Sequence, residues 1–261
     1  MKLKIPFRRE RKSVSVVRLN GMIATGRGLN DAALAPVLEK AFEKKPNAVA
    51  LVINSPGGSP VQSSLIGARI RRLANEKQIP VYAFVEDVAA SGGYWLAASA
   101  DEIYLDHSSV VGSIGVISSG FGLNQLIERY GIERRVHTAG TSKSMLDPFQ
   151  PQKKEDVVRL KGLLDEIHQT FREFIVERRG TKLADRDLFT GEIWVGKKSV
   201  ADGLADGIGH LVPMMQEKFG KKVKFNSYGP KRHILSRFGV QLVGDLNHSI
   251  EERVAFSRFG I

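Results

Sequence analysis

Residues 86–95 read E-D-V-A-A-S-G-G-Y-W, and they follow a compact apolar run at residues 81–85. The apolar run is typical of a buried strand, and residues 94–100 are typical of a helix. Ser91 lies between the two, at a sharp strand-to-helix turn. Backbone N–H groups without partners gather at a helix N-terminus, where they stabilise a developing oxyanion. Ser91 is therefore a candidate nucleophile, and the alternative is a serine that only caps the helix.

Outward from this turn, buried strands alternate with glycine-containing turns and helices. Residues 48–53 form an almost wholly apolar run, which is typical of a strand covered on both faces. Further strands are predicted at residues 14–19, 102–105, 110–118 and 132–138, and helices at residues 30–45, 59–77, 123–130 and 153–179. This alternation predicts an α/β fold with a mainly parallel sheet and flanking helices.

The chain divides into three parts by composition. Residues 1–12 form a basic N-terminal tail, and residues 13–212 form a single domain without an internal repeat or a low-complexity linker. Residues 213–261 form a C-terminal extension that is too apolar in places for a free tail. We expect its apolar residues to pack on the domain or on a neighbouring subunit: Ile234, Leu235, Phe238, Val240 and Leu242.

The composition restricts the classes of function. The chain has 261 residues, and its 42% hydrophobic and 26% charged residues are typical of a globular protein. It contains no cysteine, which excludes disulfides, zinc–thiolate sites and cysteine nucleophiles. The net charge of +11 permits an anionic partner, but the basic residues are spread along the chain without a nucleic-acid-binding motif. We therefore expect a solvated basic surface and no nucleic-acid partner.

The sequence also makes a prediction about membranes. No stretch approaches the roughly 18 apolar residues that span a bilayer, and the positive N-terminus lacks the apolar core of a signal peptide. We therefore expect a cytoplasmic protein with no signal peptide or transmembrane segment. The basic N-terminal tail is expected to be disordered, and the alternative is a peripheral contact with the anionic inner face of the membrane.

A second glycine turn, N-S-P-G-G at residues 54–58, follows the buried strand at residues 48–53. The two glycines allow the backbone to turn with its amides exposed. The carboxyl end of a parallel strand is also where α/β sheets bind ligands. The amide of Gly57 or Gly58 is therefore a candidate oxyanion donor, and the alternative is a turn without a catalytic role.

Two residue types are candidates for the base that activates Ser91. The six histidines lie in ordinary surface, helix or tail contexts: His107, His137, His168, His210, His233 and His248. Lys143 lies instead in a loop of small residues, T-A-G-T-S-K-S-M-L. A lysine accepts a proton only in its neutral form, which apolar surroundings favour. Lys143 is the better candidate, and the alternative is a solvated loop lysine.

Four segments together resemble the signal peptide peptidase A family of serine proteases, a branch of the ClpP/crotonase fold. They are N-S-P-G-G, A-S-G-G-Y at residues 90–94, V-G-S-I-G-V-I at residues 111–117, and the loop of Lys143. The resemblance extends over residues 14–212 and includes the late segments G-E-I-W-V-G and A-D-G-L-A-D. It implies a ClpP/crotonase-like fold of repeated β-β-α units.

The resemblance also implies roles for individual residues. Ser91 would be the nucleophile and Lys143 the general base of a Ser-Lys dyad. Ser113 would hold the lysine amine by a hydrogen bond. The amide of Gly92 and one amide of Gly57 or Gly58 would form the oxyanion hole. No metal or other cofactor is needed.

The same resemblance implies an endopeptidase that acts on hydrophobic peptides such as remnant signal peptides. It further implies a homo-oligomeric ring, for example an octamer, in which Ser91 and Lys143 of one site come from different chains. Two rivals stay open. One is a crotonase-like enzyme acting on acyl-CoA, and the other is a non-catalytic basic scaffold that binds a membrane or nucleic acid.

Overall fold

An eight-stranded sheet forms the centre of the computed structural model, which describes residues 12–26, 28–140, 142–229 and 253–260. The strands are β1 (Ser13–Asn20), β2 (Ala48–Ser55), β3 (Val81–Ala90), β4 (Glu102–Leu105), β5 (Val110–Gly112), β6 (Ile193–Val195), β7 (Gly207–Ile208) and β8 (Lys224–Tyr228). The helices are α1 (Asp31–Glu43), α2 (Pro60–Lys77), α3 (Gly92–Ala98), α4 (Asn124–Arg129), α5 (Lys154–Arg179), α6 (Gly196–Ala201) and α7 (Leu211–Phe219). A short 3-10 turn, Gly180–Lys182, follows α5.

The order of the strands in the sheet is β6-β5-β3-β2-β1-β8, and β4 pairs with both β3 and β7. Every described pair is parallel except β5 with β6. Strand β3 has two neighbours on its outer side, because β4 pairs with Tyr82–Val85 and β5 pairs with Val88–Ala90. The predicted α/β class with a mainly parallel sheet is confirmed.

Both faces of the sheet are covered, as the continuous apolar strands predicted. On β1, Val17 and Leu19 face the core beneath α1, α2, α3 and α5, while Val14 and Val16 face the opposite side. That opposite side is covered by α7, whose Met215 is fully buried. Successive side chains of a strand point to opposite faces, so a strand between two helical layers has to be apolar throughout.

Local signals start the two helices that support the glycine turns. The Asn30 side chain accepts a hydrogen bond from the amide of Ala33 at the start of α1. Ser59 caps α2 in the same way, and Pro60 occupies its first position. A polar cap satisfies one of the free N–H groups of the first turn, so these boundaries are set by nearby residues.

Strand β3 is five residues longer than predicted and runs directly into Ser91. Its second half is held by pairing with β5, a contact that distant residues supply. The charged pair Glu86 and Asp87 does not end the strand, because each carboxylate has a partner. Arg18 Nη1 lies 2.8 Å from Glu86 Oε1, and Asn54 Nδ2 lies 2.5 Å from Asp87 Oδ2.

Two predicted strands are wrong in whole or in part. The strand predicted at residues 110–118 ends at Gly112, where two successive residues, Gly112 and Ser113, have positive φ values of 101° and 51°. Such values break the extended backbone that a strand needs. Residues 132–138 are mostly exposed and form no strand.

The sheet continues beyond residue 212, into the part that composition assigned to the C-terminal extension. Strand β8 pairs in parallel with β1, and its register joins Ser13 to Lys224 and Val17 to Tyr228. The five apolar residues of that extension, from Ile234 to Leu242, lie outside the described residues, as do residues 1–11 of the basic tail. None of the described helices is long and apolar enough to cross a membrane.

Candidate active site

Ser91 occupies a strained turn between β3 and α3. Its backbone has φ 52° and ψ −122°, a combination that costs a non-glycine residue of order 1–3 kcal/mol. Two sets of hydrogen bonds hold it. Its amide donates to the Gly112 carbonyl at 2.8 Å, and its carbonyl accepts from the amides of Tyr94 and Trp95. The side chain makes no capping hydrogen bond. Its partly exposed hydroxyl is therefore not used to start the helix.

The residues around Ser91 are small because the turn is tightly enclosed. A β-carbon on Gly92 would overlap the Ser63 hydroxyl, and one on Gly93 would overlap the Ser55 carbonyl. Tyr94 is fully buried and its hydroxyl donates to the Leu204 carbonyl at 2.8 Å. Burial raises the pKa of Tyr94 well above its usual range. This tyrosine anchors the helix and is no candidate proton carrier.

The N-S-P-G-G turn packs directly against the turn of Ser91. A β-carbon on Gly57 would lie 2.8 Å from the Gly92 nitrogen. Gly57 has φ 97° and Gly58 has φ 143°, values that favour glycine. The Gly57 amide donates to Ser55 Oγ at 3.2 Å. In contrast, the amides of Gly58 and Gly92 donate to no group among the described residues.

One cleft of about 370 Å³ contains most of the predicted site. Ser91, Ser113, Gly58 and Gly92 all line it. Gly57 lies just behind them, in contact with the Ser91 turn. Apolar side chains of α3, α5 and the stretch after β5 form much of the remaining wall: Trp95, Val116, Ile117, Ile167 and Phe171.

Ser113 is held at this cleft by the late G-E-I-W-V-G segment. Its amide donates to the Glu192 carbonyl at 2.6 Å, and its carbonyl accepts from the Gly115 amide at 2.9 Å. Beside it, a β-carbon on Gly112 would lie 2.5 Å from the ring of Trp194, which is buried. Glu192 and Trp194 therefore hold Ser113 in position although they are distant from it in sequence.

Lys143 is not brought to Ser91 within one chain. It lies in an exposed turn, where its amide donates to the Gly140 carbonyl at 3.3 Å, and it does not line the cleft. Its side chain is exposed, whereas a lysine that acts as a base needs apolar surroundings.

None of the histidines in the described residues lines the cleft either. His168 Nε2 lies 3.1 Å from the Ile114 carbonyl, and His210 Nε2 lies 2.9 Å from Asp106 Oδ2. The Ser108 amide, together with His210, holds the pKa of Asp106 below its usual range. The described residues also contain no group of three or more histidine, aspartate and glutamate side chains able to hold a metal.

Sequence reasoning missed two parts of the cleft. One is α5, where Phe171 and Phe174 each stack on Trp95 with ring centroids 4.8 Å apart, and where Phe171 lines the cleft. The other is the C-terminal segment (residues 253–260), whose Arg258 and Phe259 also line the cleft. Its two phenylalanines, in F-S-R-F, were the signal in the sequence for a buried contact.

The sequence profile of peptidase family S49 matches residues 73–222, more than half of the chain. The match includes Ser91, Ser113 and Lys143. Among solved structures, the membrane-bound stomatin-specific protease 1510-N, in complex with a substrate peptide, has a TM-score of 0.50 and 14% identity. The alignment covers 85% of this chain and 94% of that one. At this identity the likeness shows the fold alone, and it confirms the predicted ClpP-like class.

Several curated relatives are longer proteins. The chain is 51% identical over 238 residues to a protein of Brucella melitensis named Na(+)/H(+) antiporter NhaA, covering 88% of this chain and 32% of that protein. It is 31% identical over 212 residues to the chloroplastic serine protease SPPA of Arabidopsis thaliana, and the alignment covers 77% of this chain and 31% of that protein.

The chain thus spans about a third of the length of each of these two relatives. A putative signal peptide peptidase SppA of Enterococcus faecium is 30% identical over 209 residues, covering 76% of this chain and 60% of that protein. Profile, relatives and fold agree with the resemblance of the four segments. The chain belongs to peptidase family S49, the family of the signal peptide peptidase A proteases.

Proposed function

We propose that the chain is a serine protease that hydrolyses peptide bonds through an acyl-enzyme on Ser91. One observation carries this proposal. Ser91 has a strained backbone and a side chain that makes no capping hydrogen bond, and it lies beside two glycine amides, those of Gly58 and Gly92, that have no acceptor among the described residues. In acyl transfer, amides that donate to the developing negative charge usually make the largest single contribution to catalysis.

The chemistry follows the dyad pattern. Neutral Lys143 takes the proton of Ser91 as Oγ attacks the scissile carbonyl carbon, and the amides of Gly58 and Gly92 stabilise the oxyanion. The lysine then gives that proton to the leaving amine as the peptide bond breaks. A water molecule, deprotonated by the same lysine, releases the acyl group and restores Ser91. Between the two glycines of the turn, Gly58 is the proposed donor, because the Gly57 amide is already bonded to Ser55.

Lys143 is proposed to enter the cleft of a neighbouring subunit. Its own chain leaves it in an exposed turn, and the stretch from residue 116 to residue 152 that carries it exposes many large apolar side chains. They are Ile117, Phe121, Leu126, Tyr130, Ile132 and Leu146. Apolar surface of this extent marks an interaction site. A closed ring of identical subunits would cover it and would supply each cleft with a lysine.

The substrate class follows from the walls of the cleft. Trp95, Ile117, Ile167 and Phe171 surround the nucleophile with apolar surface. Burying an apolar side chain of a substrate against such walls contributes roughly 1.5–3 kcal/mol of binding free energy. Hydrophobic peptides, of which remnant signal peptides are one kind, are the proposed substrates.

The deciding experiment is mass spectrometry of the protein after reaction with a serine-directed acylating probe, together with cleavage of an apolar reporter peptide. We expect one adduct, on Ser91, and loss of cleavage in both Ser91→Ala and Lys143→Ala. Ser108→Ala, at an exposed serine outside the cleft, is the matched control and should keep full activity. Binding of a CoA thioester without labelling of Ser91 would instead favour the crotonase-like rival.

A further inference from the structure

The C-terminal segment (residues 253–260) forms part of the wall of the Ser91 cleft. Phe256 and Phe259 pack against Val88, Ala90 and Val110, a small apolar cluster on β3 and β5. These three residues are 0%, 0% and 7% exposed. Because β3 leads straight into Ser91, the contact attaches the segment to the strand that carries the nucleophile.

This attachment places one charged group at the cleft. Sixteen of the described residues line it, and Arg258 is the charged one among these. The others are apolar residues, glycines, prolines, two serines and a threonine. Within the part of the chain that the structure describes, no carboxylate pairs with Arg258. A guanidinium at the edge of an apolar cleft attracts a carboxylate more strongly than one surrounded by water, because the local dielectric is lower.

We propose that Arg258 is a specificity-determining residue that binds a carboxylate of the peptide substrate. The inference rests on the proposed protease function and deepens it. The carboxylate comes either from an acidic side chain near the scissile bond or from the free C-terminus of a short peptide. A planar guanidinium can bind a carboxylate from either source, since it donates two parallel hydrogen bonds to the two carboxylate oxygens. The family profile matches residues 73–222, so Arg258 lies outside the matched stretch.

The segment provides its own control. Arg253 is also an exposed arginine on residues 253–260, but it does not line the cleft. A variant at Arg253 removes the same charge from the same segment and leaves the cleft unchanged. Comparing Arg258→Ala with Arg253→Ala therefore separates a contact in the cleft from a general effect of net charge.

The test uses the full chain and apolar peptides in matched pairs. One pair has amidated C-termini and differs only by Glu or Gln at a position scanned along the peptide. The other pair is neutral in its side chains and differs only by a free or amidated C-terminus. Binding is measured on the Ser91→Ala variant, and kcat/KM on the protein with Ser91 intact.

We expect the carboxylate peptide of one pair to be preferred by about two- to five-fold at low salt, the range of a partly exposed ion pair. The preference should shrink as salt rises. It should be lost in Arg258→Ala, be inverted in Arg258→Glu, and persist in Arg258→Lys and Arg253→Ala. The pair that shows it identifies the source of the carboxylate.

Three results would overturn the inference. They are equal binding of both members of each pair, an unchanged preference in Arg258→Ala, and a rise in kcat/KM for all peptides alike in Arg258→Ala. The last result would mean that the segment obstructs the cleft. Failure of the proposed protease function would give a different result, because no peptide would then be cleaved. The ratio of binding affinities within each peptide pair would still decide the role of Arg258.

Discussion

Gly57 and Ser91 are packed so closely that a β-carbon on Gly57 would lie 2.9 Å from the β-carbon of Ser91. The N-S-P-G-G turn therefore supports the turn of Ser91 directly, with no side chain between them. A substitution at Gly57 is therefore expected to change both the stability of the fold and the geometry around Ser91.

Gly57→Ala should destabilise the protein for two reasons. The new methyl group would meet backbone atoms of Ala90 and Gly92 at 2.7 and 2.8 Å, and φ is 97°. Gly26→Ala is the matched control, because Gly26 has φ 77° and nothing within 4 Å. We expect the free energy of unfolding in urea to fall by roughly 1–3 kcal/mol more for Gly57→Ala than for Gly26→Ala, the cost of overpacking. Equal losses would mean that the two turns are not in contact.

A shared site predicts complementation between two inactive variants. Ser91→Ala keeps Lys143, and Lys143→Ala keeps Ser91, so a mixed ring contains some clefts with both groups. Random mixing in equal amounts should restore about a quarter of the full activity if each site is built across one heterologous interface. Peptide cleavage after co-expression is the measurement. An inactive mixture, with assembly of each variant unchanged, would place both residues of the dyad in one chain.

The pH dependence of cleavage should reflect the lysine. In the proposed mechanism an amine accepts the proton of Ser91, and an amine does so only in its neutral form. We therefore expect kcat/KM to decrease steadily towards acid while circular dichroism shows the fold intact. Activity that stays constant down to about pH 5 would contradict a lysine base.

Asp206 should make the stability of the fold dependent on pH. Burial alone raises its pKa, but hydrogen bonds from Arg179, Lys182 and the amide of Ile103 outweigh burial and hold the pKa below its usual range. The contacts of its two oxygens with Arg179 Nη1 and Lys182 Nζ are both 2.7 Å. Since the folded state favours the ionised form, this stabilisation is complete above the unfolded pKa of about 3.9 and is lost as pH falls through the folded value.

Asp206→Asn should therefore lower the free energy of unfolding by roughly 3 kcal/mol near neutral pH, because it leaves the buried Arg179 without its ionic partner. The difference in the free energy of unfolding between Asp206→Asn and the unmodified protein should become smaller at about pH 3. Urea unfolding at the two pH values measures it. Asp185→Asn, at an exposed residue, is the control and should change stability little at either pH. A difference that is the same at both pH values would show that ionisation of Asp206 is not what stabilises the fold.

Much of the fold follows from the sequence because its causes are local. Asn30 and Ser59 start helices through hydrogen bonds to residues three positions away. The continuous apolar stretches of β2 and β3 had to be strands between two covering layers. The small residues around Ser91 also predicted a tight strand-to-helix turn, and they carried the resemblance to the family. These features depend on periodicity and on a few neighbouring side chains.

Other features depend on residues far apart in the chain, and the tertiary structure alone decided them. Strand β3 reaches Ser91 because β5 pairs with its second half. Lys143 lies away from the cleft of its own chain, while Arg258 returns to it from near the C-terminus. Sequence determined which residues have the chemistry of a serine protease, and packing decided which of them meet, because contacts across a fold leave no period in the sequence.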